Sequence, residues 1–277
     1  MISDDVVARL RAAGCVFAED EARLLVEAAD SDQDALQRML AARVDGEPLE
    51  QLLGWAAFAG ARLAVGPDVF VPRVRTELLA ELAESMITPG SVVVELCCGV
   101  GAVAAVLQRR HPAAEIFAVD IDPVAVSYAR QNLTAPAEVL VGDLYDPLPD
   151  RLHGQVDLVV ANAPYVPTDA ISLMPREARD HEPRQALDGG PDGADVQRQI
   201  ITDAPAWLRA DGRLLIETGR EQSLITAGEM RSRGLSVEIV VDDDRDATVV
   251  VGRHVAPGPP ASDTEVTDDE LDELLDP

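Results

Sequence analysis

From residue 91 onward, short runs of apolar and β-branched residues alternate with segments in which apolar residues recur at helical spacing. The runs read VVVEL, EIFAVD, AEVLVGD, VDLVVAN and GRLLIET. Because parallel strands need long crossover connections, which are usually helices, this alternation predicts a parallel sheet with helices on both faces. Two further runs, LSVEIVVD and ATVVVGR, are close enough in the chain to pair as an antiparallel ending. We therefore expect an α/β fold with a Rossmann-like, doubly wound sheet of seven strands.

The segments on either side of this region have different patterns. Residues 1–55 carry apolar positions at helical spacing between polar turns, which predicts a small helical N-terminal domain. Residues 56–74 contain two β-like runs around Gly66-Pro67-Asp68, which predicts a β-hairpin linker. The sheet domain is expected at residues 75–255. Residues 256–277 are rich in proline and then in acids without any base, which predicts a disordered tail.

Composition limits the classes of partner. The chain has 50 acidic and 23 basic residues, all of the latter arginine, and a formal charge of -27. Such a charge repels phosphate backbones, so nucleic acid is an unfavourable partner unless a local arginine patch overrides it. The chain has no apolar run of membrane-spanning length and no signal-peptide pattern at its start, so we expect a cytoplasmic protein without a membrane partner. Three cysteines, two of them adjacent, predict neither a disulfide framework nor a metal site.

A turn with two glycines, in ELCCGVGAVA, joins the first of these strands to the next helix. Gly99 and Gly101 would let the backbone approach a ligand, and Asp120, about 20 residues on, can accept hydrogen bonds from both hydroxyls of a ribose. Because Glu95 beside the turn would oppose a pyrophosphate and suits a sulfonium and an ammonium group, we favour S-adenosylmethionine over NAD. The structural alternative is that the glycines only permit close helix packing and that Asp120 caps the next helix.

The predicted cofactor-binding residues surround this turn and the ends of the neighbouring strands. They are Glu95, Cys97, Cys98, Gly99, Val100, Gly101, Asp120, Asp143, Leu144 and Asn162. Asp143 follows the third strand, where an adenine edge would lie, although an aspartate that forms a turn explains this position as well. The two adjacent cysteines are expected to be small packing residues rather than reactive thiols.

The stretch DLVVANAPYVP places a rigid polar loop after a strand that is buried on both faces. Ligands of open α/β sheets bind at this end of the strands. The Asn162 side-chain oxygen and the Ala163 carbonyl can each accept one hydrogen of an NH2 group, which aims its nitrogen at a methyl donor. Pro164 fixes the direction of that carbonyl, and the Tyr165 ring can pack on a planar amide or base. These four residues are the predicted catalytic set, and the alternative is a turn that only ends the strand.

Together these motifs resemble a known family. The segments ELCCGVG, AVDIDP, NAPY, VPRVRTE (71–77) and HEPRQALDGGPDG (181–193) are similar to those of HemK/PrmC-type protein-(glutamine-N5) methyltransferases. The resemblance implies a helical N-terminal domain, a hairpin linker and a seven-stranded S-adenosylmethionine-dependent methyltransferase domain. It implies Asn162 and Ala163 as a clamp for glutamine. It also implies a protein substrate that presents a glutamine, with a peptide chain release factor as the first choice.

Departures from the family motifs leave alternatives open. Ala163 stands where the family has proline, Cys97 replaces a glycine, and the ending DDDRDATVVVG lacks the Gly and Arg of typical members. Arg73, Thr76 and Glu77 resemble a loop over the active site, although a buried Arg–Glu pair that braces the joint between domains explains them as well. Because the clamp fits any planar NH2, methylation of adenine N6 or guanine N2 in nucleic acid is one alternative function. A non-catalytic interaction protein on a cofactor-binding fold is another.

Overall fold

Four helices at the start of the computed structural model, which describes residues 4–255, pack through their apolar faces. They are α1 (Asp4–Ala12), α2 (Ala18–Ala28), α3 (Gln33–Asp45) and α4 (Leu49–Leu53). Leu10, Leu25 and Leu40 are fully buried between the first three helices. Burial of these side chains supplies the main drive for packing, since isolated helices of this length are marginal in water. The predicted tail at 256–277 lies outside the described residues, and the predicted domain boundaries stay predictions.

A β-hairpin follows the helices, with β1 (Trp55–Phe58) antiparallel to β2 (Ala61–Ala64). Its turn is Ala59-Gly60, and both residues have positive φ, 47° and 80°, as a two-residue hairpin of this type requires. The predicted position of the hairpin around Gly66-Pro67-Asp68 is therefore wrong, although the chain does turn at Pro67 and Asp68. A Cβ on Gly66 would overlap the Tyr128 hydroxyl, so this glycine serves a close contact between segments rather than a hairpin turn.

Seven strands form the central sheet in the order β5-β4-β3-β6-β7-β9-β8. They are β3 (Val92–Leu96), β4 (Glu115–Asp120), β5 (Glu138–Val141), β6 (Val156–Ala161), β7 (Leu208–Glu217), β8 (Leu235–Asp242) and β9 (Ala247–His254). β3 to β7 run parallel, whereas β9 pairs antiparallel with both β7 and β8. The α/β fold and the antiparallel ending predicted from the sequence are thus confirmed.

Helices cover both faces of the sheet. They are α5 (Glu77–Met86), α6 (Ala102–Arg110), α7 (Pro123–Asn132), α9 (Asp195–Trp207) and α10 (Ser223–Ser232). A short helix between β6 and β7, α8 (Arg176–His181), forms ion pairs with residues of α3 instead. Along β3, Val93 packs into the cluster that contains α5, α6 and α7, and its neighbour Val94 packs into the cluster that contains α9 and α10. This alternation follows from the two-residue period of a strand. None of the helices within residues 4–255 has the length and apolarity needed to cross a membrane.

The strand order creates one position where a ligand cleft is expected. β3 lies between β4 and β6, so the chain winds towards one edge of the sheet from β3 and towards the other from β6. Ligands bind outside the carboxyl ends of strands at such a switch point. In the register of the sheet, Leu96 pairs with Ala161, so the residues that follow them, Cys97 and Asn162, leave the sheet side by side.

Candidate active site

A cleft runs along the carboxyl edge of the sheet at this switch point. Its floor comes from the ends of four strands, at residues 97–100, 119–122, 142–144 and 162–166. All of the predicted site residues line it except Gly101. The structure therefore brings together residues that are up to 70 positions apart in the chain. Of the two glycines of the turn, Gly99 lines the cleft and Gly101 does not.

The two glycines of the turn after β3 have different roles. A Cβ on Gly99, where φ is +54°, would meet no atom within 4 Å, so the backbone there is open to the cleft. A Cβ on Gly101 would come within 3.2 Å of the Ala129 side chain and 3.0 Å of Leu133. The close-packing explanation therefore holds for Gly101, which lies against α7, and does not hold for Gly99.

Asp120 at the end of β4 holds the glycine turn in place. Its Oδ2 accepts a hydrogen bond from the Gly99 amide at 2.7 Å, and its Oδ1 accepts one from the Asp122 amide at 2.9 Å. The cap of α7 is Asp122, whose side chain accepts a hydrogen bond from the Val124 amide, so the alternative that Asp120 caps this helix is wrong. Each oxygen of Asp120 retains acceptor capacity for a ligand hydroxyl. Burial raises the pKa of Asp120 from its ordinary value.

The part of the cleft around Asp120 is lined by carboxyl groups without a basic partner. Glu95 is buried, accepts a hydrogen bond from the Ala104 amide at 2.7 Å, and has its pKa raised to about 8 by that burial. Within residues 4–255, neither Glu95, Asp120 nor Asp143 forms an ion pair with an arginine or histidine. A bound cation would compensate these carboxyl groups, whereas a pyrophosphate would be repelled. Burial also raises the pKa of the Cys97 and Cys98 thiols, so both stay protonated and serve as packing groups.

The other part of the cleft contains Asn162 and Tyr165. The Asn162 Nδ2 atom donates a hydrogen bond to the Thr76 hydroxyl oxygen at 3.2 Å. The two hydrogens and the oxygen of an amide lie on opposite sides, so this contact turns Oδ1 away from Thr76 and leaves it as an acceptor. The Tyr165 hydroxyl is 3.5 Å from Oε1 of Glu217, and the Arg75 guanidinium lies over the Tyr165 ring at 5.9 Å from its centroid.

Glycines in the motif DGGPDG allow a second loop to contact this site closely. A Cβ on Gly189 would come within 2.7 Å of the Pro164 carbonyl oxygen, and a Cβ on Gly193 would overlap the Tyr165 carbonyl oxygen. Backbone hydrogen bonds from Val166 to Leu187 and from Gly189 to Val166 join the same segments. This loop can therefore pack directly on the backbone of the predicted clamp only because it has no side chains at these two positions.

Two glutamates at the site are not among the residues predicted from the sequence. Arg73 contacts both carboxylate oxygens of Glu182 at 2.7 Å, and Glu182 also accepts a hydrogen bond from the Val71 amide. The partner of Arg73 is thus the loop after α8, while Glu77 accepts a hydrogen bond from the Ala59 amide in the hairpin turn. Glu217 at the end of β7 was the second omission. Its position in the sequence was the available signal, because Glu217 is the last residue of β7 and Asn162 directly follows the last residue of β6.

Comparison with known proteins relates this geometry to a family. A family model described as methyltransferase small domain matches residues 62–178. The release factor glutamine methyltransferase of Mycolicibacterium smegmatis is 45% identical over 194 residues, which are 68% of this chain and 68% of that protein. The release factor glutamine methyltransferase of Cereibacter sphaeroides is 36% identical over 267 residues, which are 88% of this chain and 94% of that protein. The chain belongs to the release factor glutamine methyltransferase family.

Solved structures share the fold of this family member. A methyltransferase from Pyrococcus furiosus matches with a TM-score of 0.53 and 16% identity, over 72% of this chain and 91% of that one. The T. thermophilus 16S rRNA N2 G1207 methyltransferase, solved with AdoMet and guanosine, matches with a TM-score of 0.52 and 20% identity, over 72% of this chain and 49% of that one. Both likenesses support the methyltransferase fold.

S-adenosylmethionine is the cofactor of this release factor glutamine methyltransferase family member, and the residues of the cleft fit it. The open backbone at Gly99 accommodates a ligand at close approach. The Asp120 carboxylate has acceptor capacity for ribose hydroxyls. The unpaired carboxyl groups match a ligand that carries a sulfonium and an ammonium group and no phosphate.

Proposed function

We propose that this chain transfers a methyl group from S-adenosylmethionine to the side-chain amide nitrogen of a glutamine in a protein, and that this protein is a peptide chain release factor. The orientation of Asn162 carries the proposal, because its Nδ2 atom is held by Thr76 and its oxygen is left as an acceptor beside the cofactor part of the cleft. The names of the relatives at 45% and 36% identity support the choice of substrate.

The roles of the clamp residues follow from the chemistry of an amide nitrogen. When bound, S-adenosylmethionine supplies an electrophilic methyl group on its sulfonium, and the sulfur keeps the electron pair of the broken C–S bond as S-adenosylhomocysteine. The target nitrogen gains the methyl group and loses one proton to solvent. The Asn162 oxygen accepts one hydrogen of the target NH2 group, and the Ala163 carbonyl accepts the other. These two contacts fix the direction of the nitrogen and stabilise the positive charge that develops on it. Tyr165 provides a ring against which the planar amide can lie.

Residues on the other side of the cleft would hold the cofactor. Asp120 would accept hydrogen bonds from the ribose, and the open backbone at Gly99 would allow close approach. Glu95 would lie near the cationic end of the ligand, where a positive charge would lower its raised pKa again. Cys97, Cys98, Val100, Asp143 and Leu144 line the same part of the cleft and would shape the pocket around the ligand.

The partition of methyl label between macromolecules tests the class of substrate. Cell extract from the source organism is incubated with the chain and with S-adenosylmethionine labelled on its methyl group, and the protein and nucleic acid fractions are then counted separately. We expect label in protein, and its loss with Asn162→Ala. Gln131→Ala, which removes an exposed amide on α7, is the matched control and should retain transfer. Label in nucleic acid alone would replace the proposal by methylation of an exocyclic amine.

A further inference from the structure

A buried amide at the end of α7 contacts the cofactor turn, residues 97–101, and takes no part in the chemistry described above. Asn132 is the last residue of α7 and is 8% exposed. Its Nδ2 atom donates hydrogen bonds to the Val100 carbonyl oxygen at 2.9 Å and to the Ala64 carbonyl oxygen at 3.0 Å, and its Oδ1 accepts one from the Ala64 amide at 2.6 Å. One side chain thus joins the cofactor turn to the hairpin.

The Val100 carbonyl needs a donor from outside its own helix. In a regular α-helix the amide of residue 104 would donate to the carbonyl of residue 100. Here the Ala104 amide donates to the Glu95 carboxyl group instead, at 2.7 Å. Val100 is 1% exposed, and a buried carbonyl without a partner costs free energy. Asn132 therefore supplies the hydrogen bond that Glu95 has taken from the helix.

Gly101 allows the end of α7 to come close enough for this contact. A Cβ on Gly101 would lie 3.2 Å from Ala129 and 3.0 Å from Leu133, the residues of the last turn of α7 and of its C-terminal cap. Asn132 lies between them in the chain. Gly101, which is predicted to bind the cofactor but does not line the cleft, thus allows a side chain of α7 to hold the turn from behind.

On its other side, Asn132 holds the outer edge of the hairpin. Both backbone groups of Ala64 in β2 are bonded to the Asn132 amide, as a neighbouring strand would bond the residue of an edge strand. One helical turn earlier on α7, the Tyr128 hydroxyl occupies the space that a Cβ on Gly66 would need. Since β1 follows α4 after the single residue Gly54, the hairpin in turn attaches the N-terminal helices.

The amide can make these three contacts in one orientation only. If the amide were turned over, its oxygen would face the carbonyl oxygens of Val100 and Ala64, and its NH2 group would face the Ala64 amide hydrogen. We propose that Asn132 is a positioning residue, which holds the cofactor turn through the Val100 carbonyl in the conformation that binds S-adenosylmethionine and links this turn to the hairpin. This inference concerns the cofactor and does not depend on which atom is methylated.

The affinity for S-adenosylmethionine of Asn132→Leu tests the positioning role. Leucine has a similar size and removes all three hydrogen bonds. Calorimetry should show an affinity about tenfold lower, because a turn that is no longer held occupies its binding conformation for only part of the time. Turnover at saturating cofactor should stay within about threefold of the wild-type value. Gln131→Leu is the matched control and should keep the wild-type affinity, because it makes the same replacement at an exposed residue whose amide bonds the Ser127 carbonyl within α7.

Ala64→Pro tests the link to the hairpin, because proline removes only the amide hydrogen that Asn132 accepts. Proline is tolerated where the N–H group of an edge strand faces outward. Ala64 does not line the cleft, yet its loss should lower the affinity for S-adenosylmethionine by about threefold, less than the loss of the whole amide. In the Asn132→Leu background the same change should have no further effect on affinity, because both changes act through one amide.

A third variant separates positioning from a general loss of stability. Thr226→Val removes a buried hydroxyl that bonds Gln197 away from the cleft, so it should lower the melting temperature and leave the affinity per folded molecule unchanged. If it weakens cofactor binding as much as Asn132→Leu does, stability explains the effect and the inference is wrong. Wild-type affinity in Asn132→Leu would also overturn it. If Asn132→Leu does not fold, Ala64→Pro decides, and wild-type affinity in that variant would contradict the inference.

Discussion

The two halves of the cleft are built in different ways. The cofactor half comes from one stretch of chain, between Glu95 and Asp143, and is held by contacts to the backbone, such as those of the Gly99 and Ala104 amides. The acceptor half is assembled from segments up to 141 positions apart, from Thr76 to Glu217, through contacts between side chains. The first half needs only neighbouring strands from consecutive strand-helix units, whereas the second depends on segments that meet only in the finished tertiary structure.

The two halves also differ in whether their carboxyl groups have a basic partner. Carboxyl groups of the acceptor half have arginines beside them, since Arg73 contacts Glu182 and Arg75 lies 3.5 Å from Glu217. Carboxyl groups of the cofactor half have no such partner within residues 4–255, and burial raises the pKa of Glu95 and Asp120. The acceptor half is therefore electrostatically compensated before any ligand binds, whereas the carboxyl groups of the cofactor half would be compensated by the cofactor proposed to bind there.

The largest effect is expected from Asn162→Ala, which removes one contact of the acceptor half. Because that contact strengthens as charge develops on the target nitrogen, turnover should fall by about a hundredfold or more. The affinity for S-adenosylmethionine should barely change, since Asp120 and Gly99 are untouched. Steady-state kinetics and calorimetry on the same preparation measure the two quantities. A joint loss of turnover and affinity would mean that the halves do not act separately.

Asp120→Ala should have the opposite pattern. It removes a charged acceptor for the ribose and also the partner of the Gly99 amide, so the affinity for S-adenosylmethionine should fall by about ten- to a hundredfold. Turnover at saturating cofactor should be affected less than by Asn162→Ala. Calorimetry that gives the wild-type affinity would remove Asp120 from the site.

The uncompensated charge of the cofactor half predicts a dependence of stability on pH. The folded-state pKa of Glu95 is raised to about 8, so its contribution to stability is full below its unfolded pKa of about 4.3 and is lost as the pH rises through about 8. Glu95→Gln, which resembles the protonated form, should therefore melt a few degrees higher than the wild-type chain at about pH 8. The difference should shrink at about pH 5. Melting curves of cofactor-free protein at both values measure it, and equal curves at the higher pH would contradict it.

The smallest effect is expected from Ala163→Pro. The proposed contact uses only the carbonyl of residue 163, and proline retains that carbonyl while it loses the amide hydrogen. Turnover should therefore stay within about threefold of the wild-type value, since no proposed contact is lost. A loss on the scale of Asn162→Ala, at unchanged melting temperature, would show that the amide hydrogen of Ala163 is needed and that the clamp is misassigned.

The difference between the halves also explains which features were predictable from the sequence. Strand β4 and helix α7 have the expected positions because apolar runs and the Asp122-Pro123 start are local signals. The open backbone at Gly99 follows from the turn itself and is also a local feature. The tight packing of Gly101 depends on the approach of α7, which begins more than 20 residues later in the chain. The hairpin turn was misplaced because Ala59 adopts positive φ without being a typical turn residue.

The contacts within the acceptor half join residues that no sequence pattern relates to one another. Asn162 was found because a strand ends there, but its contact with Thr76 spans 86 positions. Glu182 lies in the quoted segment HEPRQALDGGPDG and Glu217 ends the run GRLLIET, but neither segment indicates that they lie beside Arg73 and Arg75. Such contacts are set by the register of β6 and β7 and by the packing of loops, so they follow from the fold rather than from spacing in the sequence.

The identity of the methylated atom is the most direct test of the account. The purified chain is incubated with S-adenosylmethionine and a purified release factor from the same organism, and the digested product is analysed by tandem mass spectrometry. The account predicts one added methyl group on the side-chain nitrogen of a glutamine, which is absent when the Asn162→Ala variant is used. A methyl group on another type of residue, or an unmodified release factor beside methylated nucleic acid, would contradict it.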